Sequence, residues 1–212
     1  MKKIIALALI LTLALPSSAQ KTLFGSRTKT TKVDNSAYMQ GAVPEVDGKV
    51  VFTQTFSAPG KSKADLCKAL NSWASLRFMA NSEFGQWNEP TYYKNLEYAS
   101  VVLSDPNAAR ITCAGNEEQV FSNKLLAKDY TVLNYSLNLD IQDGKVTATM
   151  TNIVYTYLLT DAMERIQAEE WITDKEAITK KGKLMRVSGK FRVKTIDVKD
   201  QLFKDIEEAI NK

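Results

Sequence analysis

Alternation of apolar and polar residues marks the first element. Across residues 50–57, Val50, Phe52 and Phe56 share one face, with Gln54 the lapse, and Thr53, Thr55 and Ser57 share the other. A period of two predicts a half-buried strand, and Pro59-Gly60 stops it. Ser62-Lys63-Ala64-Asp65 then reads as a capping box in its Asp form, because the Ser oxygen can accept from an amide one turn on. The period changes to that of a helix, predicted to run to about Ala80. Leu66, Leu70, Trp73 and Arg77 form its stripe, with Cys67, Ala74 and Phe78 alongside. Residues 81–95 lose all periodicity and contain Gly85 and Pro90. Two strands are predicted near residues 96–103 and 109–115, joined by the turn Ser104-Asp105-Pro106-Asn107. A shorter strand is predicted over residues 119–127.

The sharpest local signal is Asp143-Gly144, which supplies the positive φ values of a type I′ hairpin turn. A two-residue loop sets the register. It pairs Gln142 with Lys145, Ile141 with Val146, Leu139 with Ala148 and Leu137 with Met150. Further along it pairs Tyr135 with Asn152 and Leu133 with Val154. That face is almost wholly apolar and is predicted to face the core. The other face is polar near the turn, where Asp140 meets Thr147, Asn138 meets Thr149 and Ser136 meets Thr151. Away from the turn it becomes apolar, with Val132 opposite Tyr155 and Tyr130 opposite Tyr157. This end is predicted to be covered on both sides, by another part of the chain or by a partner. Tyr130, Val132, Tyr155 and Tyr157 are therefore a candidate interaction surface.

Residues 160–172 read as a second helix, with Asp161 and Glu164 at capping-box spacing. Thr173 and Glu176 open a short further turn, ended by Lys181-Gly182. Residues 183–194 are basic and follow neither period. Asp197 and Asp200 start the last helix, whose stripe is Val198, Leu202, Ile206 and Ile210, with Phe203 and Ala209 beside it. Strand, helix, several antiparallel strands, then helices: this order predicts an α+β domain with helices packed on an antiparallel sheet of about five to six strands.

The start of the chain adds an address. Lys2 and Lys3 precede an apolar run over residues 4–15, followed by Pro16-Ser17-Ser18-Ala19. These are the parts of a cleaved signal peptide, residues 1–19, and they place the protein in the periplasm or outside the cell. The run falls short of the roughly 20 apolar residues of a spanning helix, and no other stretch is apolar enough to span. Residues 20–42 read as a flexible tether. Up to Asn35 they carry Lys21, Arg27, Lys29 and Lys32 against Asp34, with few large apolar residues. Residues 43–212 form the single α+β domain. Beyond residue 35 there are 22 basic and 23 acidic residues, so the formal net charge of +4 belongs to the leader and tether. No basic stripe marks a nucleic-acid footprint, and export argues against one.

The chain contains no His. That removes the commonest general base, the Ser-His and Cys-His nucleophile pairs and every His-containing zinc site. Its two cysteines, Cys67 and Cys113, form no CxxC motif. In an oxidising compartment they form one disulfide or stay as buried thiols, and spacing alone leaves both open. No catalytic residue, metal site or cofactor is assigned. Trp87, Tyr92 and Tyr93 lie on a polar connection and are candidate ligand-binding aromatics, with Glu83 and Glu89 flanking Trp87. The competing reading folds these aromatics over the sheet edge. Lys180, Lys181, Lys183, Arg186, Lys190, Arg192 and Lys194 form a basic stretch. It suits an acidic polysaccharide or phospholipid headgroups, or else a solvated loop whose side chains meet nearby acids.

The run Val43-Pro44, Gly48-Lys49-Val50-Val51-Phe52, Phe56, Pro59-Gly60-Lys61-Ser62-Lys63 and Leu66 resembles the opening of the family called domain of unknown function 4468. Trp73, Gly189-Lys190-Phe191-Arg192 and Thr195-Ile196-Asp197 continue the likeness. The resemblance implies an exported protein with a TATA-binding-protein-like (TBP-like) fold, a curved antiparallel sheet carrying helices. It implies no activity and no catalytic residues, and the fold name does not imply DNA binding. The leading expectation is a non-enzymatic binding domain of the cell envelope whose partner is a protein or a polysaccharide. The alternatives are a carrier of a small apolar ligand between sheet and helix, and a glycan hydrolase working with carboxylates.

Overall fold

The computed structural model describes residues 35–84, 100–105, 107–124, 127–159 and 162–212. A small hairpin, β1 (Glu45–Val46) with β2 (Lys49–Val50), leads into β3 (Phe52–Ser57). Helix α1 (Lys63–Phe84) follows, then β4 (Ser100–Asp105), β5 (Arg110–Lys124), β6 (Ala127–Gln142), β7 (Lys145–Leu159) and β8 (Ala162–Gln167). A single turn of 3-10 helix at Ala168–Glu170, the short α2 (Asp174–Ala177) and the long α3 (Ser188–Asn211) complete the domain.

Strands β3 to β8 make one antiparallel sheet in the order β3-β7-β6-β5-β4. Strand β8 also pairs with β7. β3 takes residues 145–150 of β7 and β8 takes residues 154–159, so the two share one edge of β7 end to end. Helices α1 and α3 lie on one face, where Phe78 of α1 meets Tyr135 of β6 and Phe203 of α3 meets Phe56 of β3. The layer between them is filled. Leu66, Leu70, Ala74 and Phe78 of α1 are fully buried against Leu137, Leu139, Met150 and Ile153 of the sheet and Leu202 and Ile206 of α3. The opposite face carries short polar side chains, among them Thr55 beside Thr147 and Thr112 donating to Asn138.

The local start signals hold. The Asp65 amide donates to Ser62 Oγ at 3.2 Å, which is the predicted cap. Asp143 of the hairpin turn accepts from the Lys63 amide at 2.7 Å, so the β6–β7 turn also caps α1. A carboxylate there offsets the exposed amides and the positive end of the helix dipole.

Near its turn the hairpin keeps the predicted register, from Gln142 opposite Lys145 to Ser136 opposite Thr151. Beyond that the register shifts by one, and Asn134 lies opposite Val154. Tyr135 therefore faces two residues, Asn152 and Ile153, and Asn152 takes the left-handed conformation at φ 53°. Such a bulge exchanges the faces of the strand beyond it. Val146, Ala148 and Met150 are buried before it, Ile153 and Tyr155 after it. The predicted pairs at the far end are corrected accordingly. Tyr155 lies opposite Leu133, Val132 opposite Thr156, and Tyr157 opposite Thr131.

Three other expectations change. The two predicted pieces around residues 109–127 are largely one strand, β5, with its own irregularity between Val120 and Ser122. Residues 162–167 are a strand instead of a helix, because β7 beyond Met150 offers a free edge and pairing there outweighs local spacing. Helix α3 begins at Ser188, nine residues before Asp197. Its first turns bury Phe191, Arg192, Thr195 and Ile196, and the polar members of that stripe hide its helical period.

Candidate functional site

The far end of the sheet is split. β6 runs against β5 as far as Ala127, and β7 runs against β8 as far as Leu159. The pairing of β6 with β7 stops earlier, at Thr131 and Tyr157. The β5–β6 and β7–β8 hairpins thus part company, and between them lies a cavity of about 320 Å³. Lys128, Asp129, Tyr130, Tyr157, Leu158 and Met163 line it.

Its side chains are held in place by neighbours. Tyr157 Oη donates to Asp129 Oδ1 at 3.0 Å, and Lys190 Nζ of α3 donates to Asp129 Oδ2 at 2.8 Å. Burial first, and then the bond to Asp129, hold the Tyr157 phenol above its ordinary value. Lys128 pairs with Glu118 at 2.6 Å and sits 4.9 Å from the centre of the Tyr130 ring. The Tyr157 ring packs edge-on against Phe121 and Phe191, at 6.2 and 5.0 Å between centres. Leu158 is 56% exposed. The notch offers an apolar and aromatic wall with a charged rim. Its phenol stays protonated at neutral pH, so it suits binding better than proton transfer.

A second concavity, about 570 Å³, lies between the exposed sides of α1 and α3. Trp73, Leu76 and Ala209 form apolar wall, with Arg77, Asp205 and Glu208 around it. Arg77 is held by Glu117 at 2.6 Å, and Glu117 also accepts from Tyr135 at 2.5 Å. The Tyr135 ring lies against Gly115, where a Cβ would stand 2.1 Å from the ring, so a larger residue there would require the buried ring to shift.

The basic stretch does not act as one patch. Arg192 is wholly buried. It donates to the carbonyls of Tyr38, Met39 and Ile172 at 2.6–2.7 Å and to Asp174 at 2.6 Å. The other Asp174 oxygen accepts from the Gly41 amide at 2.8 Å, so this hub straps the segment before β1 onto α2 and α3. Lys190 is taken by Asp129. Lys180, Lys181, Lys183 and Arg186 stay exposed.

Of the sequence-predicted surface, Tyr130 and Tyr157 meet at the notch. Tyr155 is buried beneath α3, hydrogen-bonded to Thr195 at 2.7 Å, and Val132 is buried in a row with Glu118 and Thr156. Lys128, Asp129, Leu158 and Met163 escaped the sequence reading. A carboxylate, Asp129, one residue from an aromatic strand position was the available signal. Cys67 and Cys113 are free thiols, Cys67 half-buried on α1 and Cys113 fully buried on β5. Trp87, Tyr92, Tyr93 and Glu89 lie outside the described residues. Among the described residues no three His, Cys, Asp or Glu side chains group as metal ligands, and no helix is long and apolar enough to cross a membrane.

Comparison with known proteins agrees with this architecture. Residues 52–156 match the profile of the family described as domain of unknown function (DUF4468) with TBP-like fold. The crystal structure of a DUF4468 family protein from Bacteroides ovatus is similar at 36% identity and a TM-score of 0.72. That match covers 85% of this chain and 97% of the other. A TBP-like protein from Parabacteroides distasonis shares the fold, with 20% identity, a TM-score of 0.62 and coverage of 79% and 96%. No functionally curated protein matches the chain. With a relative this similar over nearly its whole length, and with the antiparallel sheet and its helices in place, the chain belongs to the DUF4468 family of TBP-like domains.

Proposed function

We propose that this chain is an exported, non-enzymatic binding domain of the cell envelope, and that it meets a protein or polymer partner at its surface. The observation that carries this reading is where the free space lies. Among the described residues the centre of the layer between sheet and helices is packed with fully buried side chains. The concave space lies at its margins: the notch, the helix–helix groove and a cavity of about 300 Å³ where α1 meets β4 and β5. Concave aromatic surface suits recognition. The signal-peptide pattern of residues 1–19 supports export.

The carrier reading keeps two supporting observations, the apolar groove between α1 and α3 and a cavity of about 300 Å³ between α1 and the β4–β5 edge of the sheet. Native mass spectrometry of the protein taken from its own envelope fraction separates the two readings. A bound protein, or a defined mass of polymer, supports the binding domain. A stoichiometric small molecule overturns it in favour of the carrier. Tyr130→Ala with Leu158→Ala then locates the contact, because both side chains line the notch.

A further inference from the structure

We infer that the turn formed by residues 178–187 is a docking element for the surface of an anionic lipid bilayer. The turn projects between α2 and α3 and is built to keep its shape. Thr179 and Lys183 close it, the Thr179 amide donating to the Lys183 carbonyl at 2.7 Å and the Lys183 amide to Thr179 Oγ1 at 3.1 Å. Gly182 takes φ 65°, a value that favours glycine. An Ile178–Leu184 bridge and the Met185 amide, which donates to the Ala177 carbonyl at 2.8 Å, fix its base.

On this frame stand Lys180, Lys181, Lys183 and Arg186, all exposed. None of the four forms an ion pair among the described residues. The acids of the adjoining helix are engaged elsewhere, Asp174 by Arg192 and Glu176 by Lys175 at 3.1 Å. Met185 lies between Lys183 and Arg186 and Val187 follows Arg186, and they are 43% and 44% exposed. Unpaired cations interleaved with exposed apolar side chains match one kind of surface best. Lipid phosphates take the cations, and the boundary of the acyl chains takes Met185 and Val187. A polysaccharide or nucleic acid would satisfy the cations alone and leave the apolar pair in water. None of these six side chains lines the notch.

The test is flotation of the chain, as recovered from the envelope fraction, with two kinds of vesicle: phosphatidylcholine alone, and phosphatidylcholine mixed equally with phosphatidylglycerol. The chain is expected to float with the anionic vesicles only. Neutralising Lys180, Lys181, Lys183 and Arg186 to Gln should weaken partitioning about fivefold for each cation removed. Met185→Ser with Val187→Ser should weaken binding to vesicles and leave binding to dextran sulfate, a polyanion with no apolar phase, unchanged. Urea midpoints of all variants should match the parent, since the six side chains are exposed. The inference fails if the four-fold Gln variant floats like the parent, or if the parent floats equally with neutral vesicles. It also fails if the Met185 and Val187 changes leave vesicle binding intact, which would make the partner a polyanion of any kind.

Discussion

Arg186 and Arg192 stand six residues apart in one basic stretch, and they do opposite things. Arg186 projects from the turn into solvent. Arg192 is wholly inside, with every bond it makes directed at a carbonyl or at Asp174. The difference comes from the helix between them. Once α3 starts at Ser188, residue 192 falls on the stripe of Phe191, Thr195 and Ile196 that faces the core, and a buried guanidinium must satisfy its donors there. The turn has no such constraint. One part of the stretch is structural and the other is free to meet a partner.

The largest test of this contrast is Arg192→Met. It strands three carbonyls and leaves the partly exposed Asp174 carboxylate only the Gly41 amide, and should cost on the order of 3–5 kcal/mol in urea unfolding. Asp174→Asn leaves the guanidinium its carbonyl partners and should cost about 1–3 kcal/mol.

The two thiols repeat the contrast and give it a pH dependence. Burial pushes the Cys113 thiol up from 9.0 to about 12. The folded state then keeps a proton that the unfolded chain releases near pH 9. The stability is present below that value and falls as pH rises toward about 12. Tyr135 and Tyr155, also raised by burial, act in the same direction. Cys113→Ala should flatten the fall in urea midpoint between pH 9 and pH 12. In native protein a thiol reagent should reach half-buried Cys67 first and titrate both thiols only on unfolding. Two thiols that stay silent in denaturant would mean a bridge.

The smallest effects belong to the outer cations. Lys190→Gln removes a partly exposed pair with Asp129 and should cost about 0–1 kcal/mol. Arg186→Gln should stay within about 0.5 kcal/mol. A large loss at Arg186 would erase the distinction between turn and hub.

Much of the fold was readable because its signals are local. The Ser62 cap and the Pro59-Gly60 stop act within a few residues and appear in the structure, and Asp143-Gly144 forms the expected two-residue loop. Only Gly144 has a positive φ, 68°, so the turn is not the expected type I′. The register near the turn followed from the two-residue loop alone. The notch was legible only in part. Tyr130 and Tyr157 were singled out for the right end of the sheet, but from a register that the bulge at Asn152 displaces. A left-handed Asn within a strand leaves no mark in the periodicity until the strand across from it is known.

By itself the sequence determined the α+β class, the core face of the hairpin near its turn, the helix stripes and the lack of histidine chemistry. All of these depend on residue type and short-range spacing. Only the tertiary structure decided that residues 162–167 complete an edge of β7, that the two hairpins part at the notch, and that Arg192 goes inside while Arg186 stays out. The physical reason is the same in each case. A free strand edge, a bulge facing a distant tyrosine and a buried charge are defined by partners far away in the chain. Their free energy exists only once those partners have met.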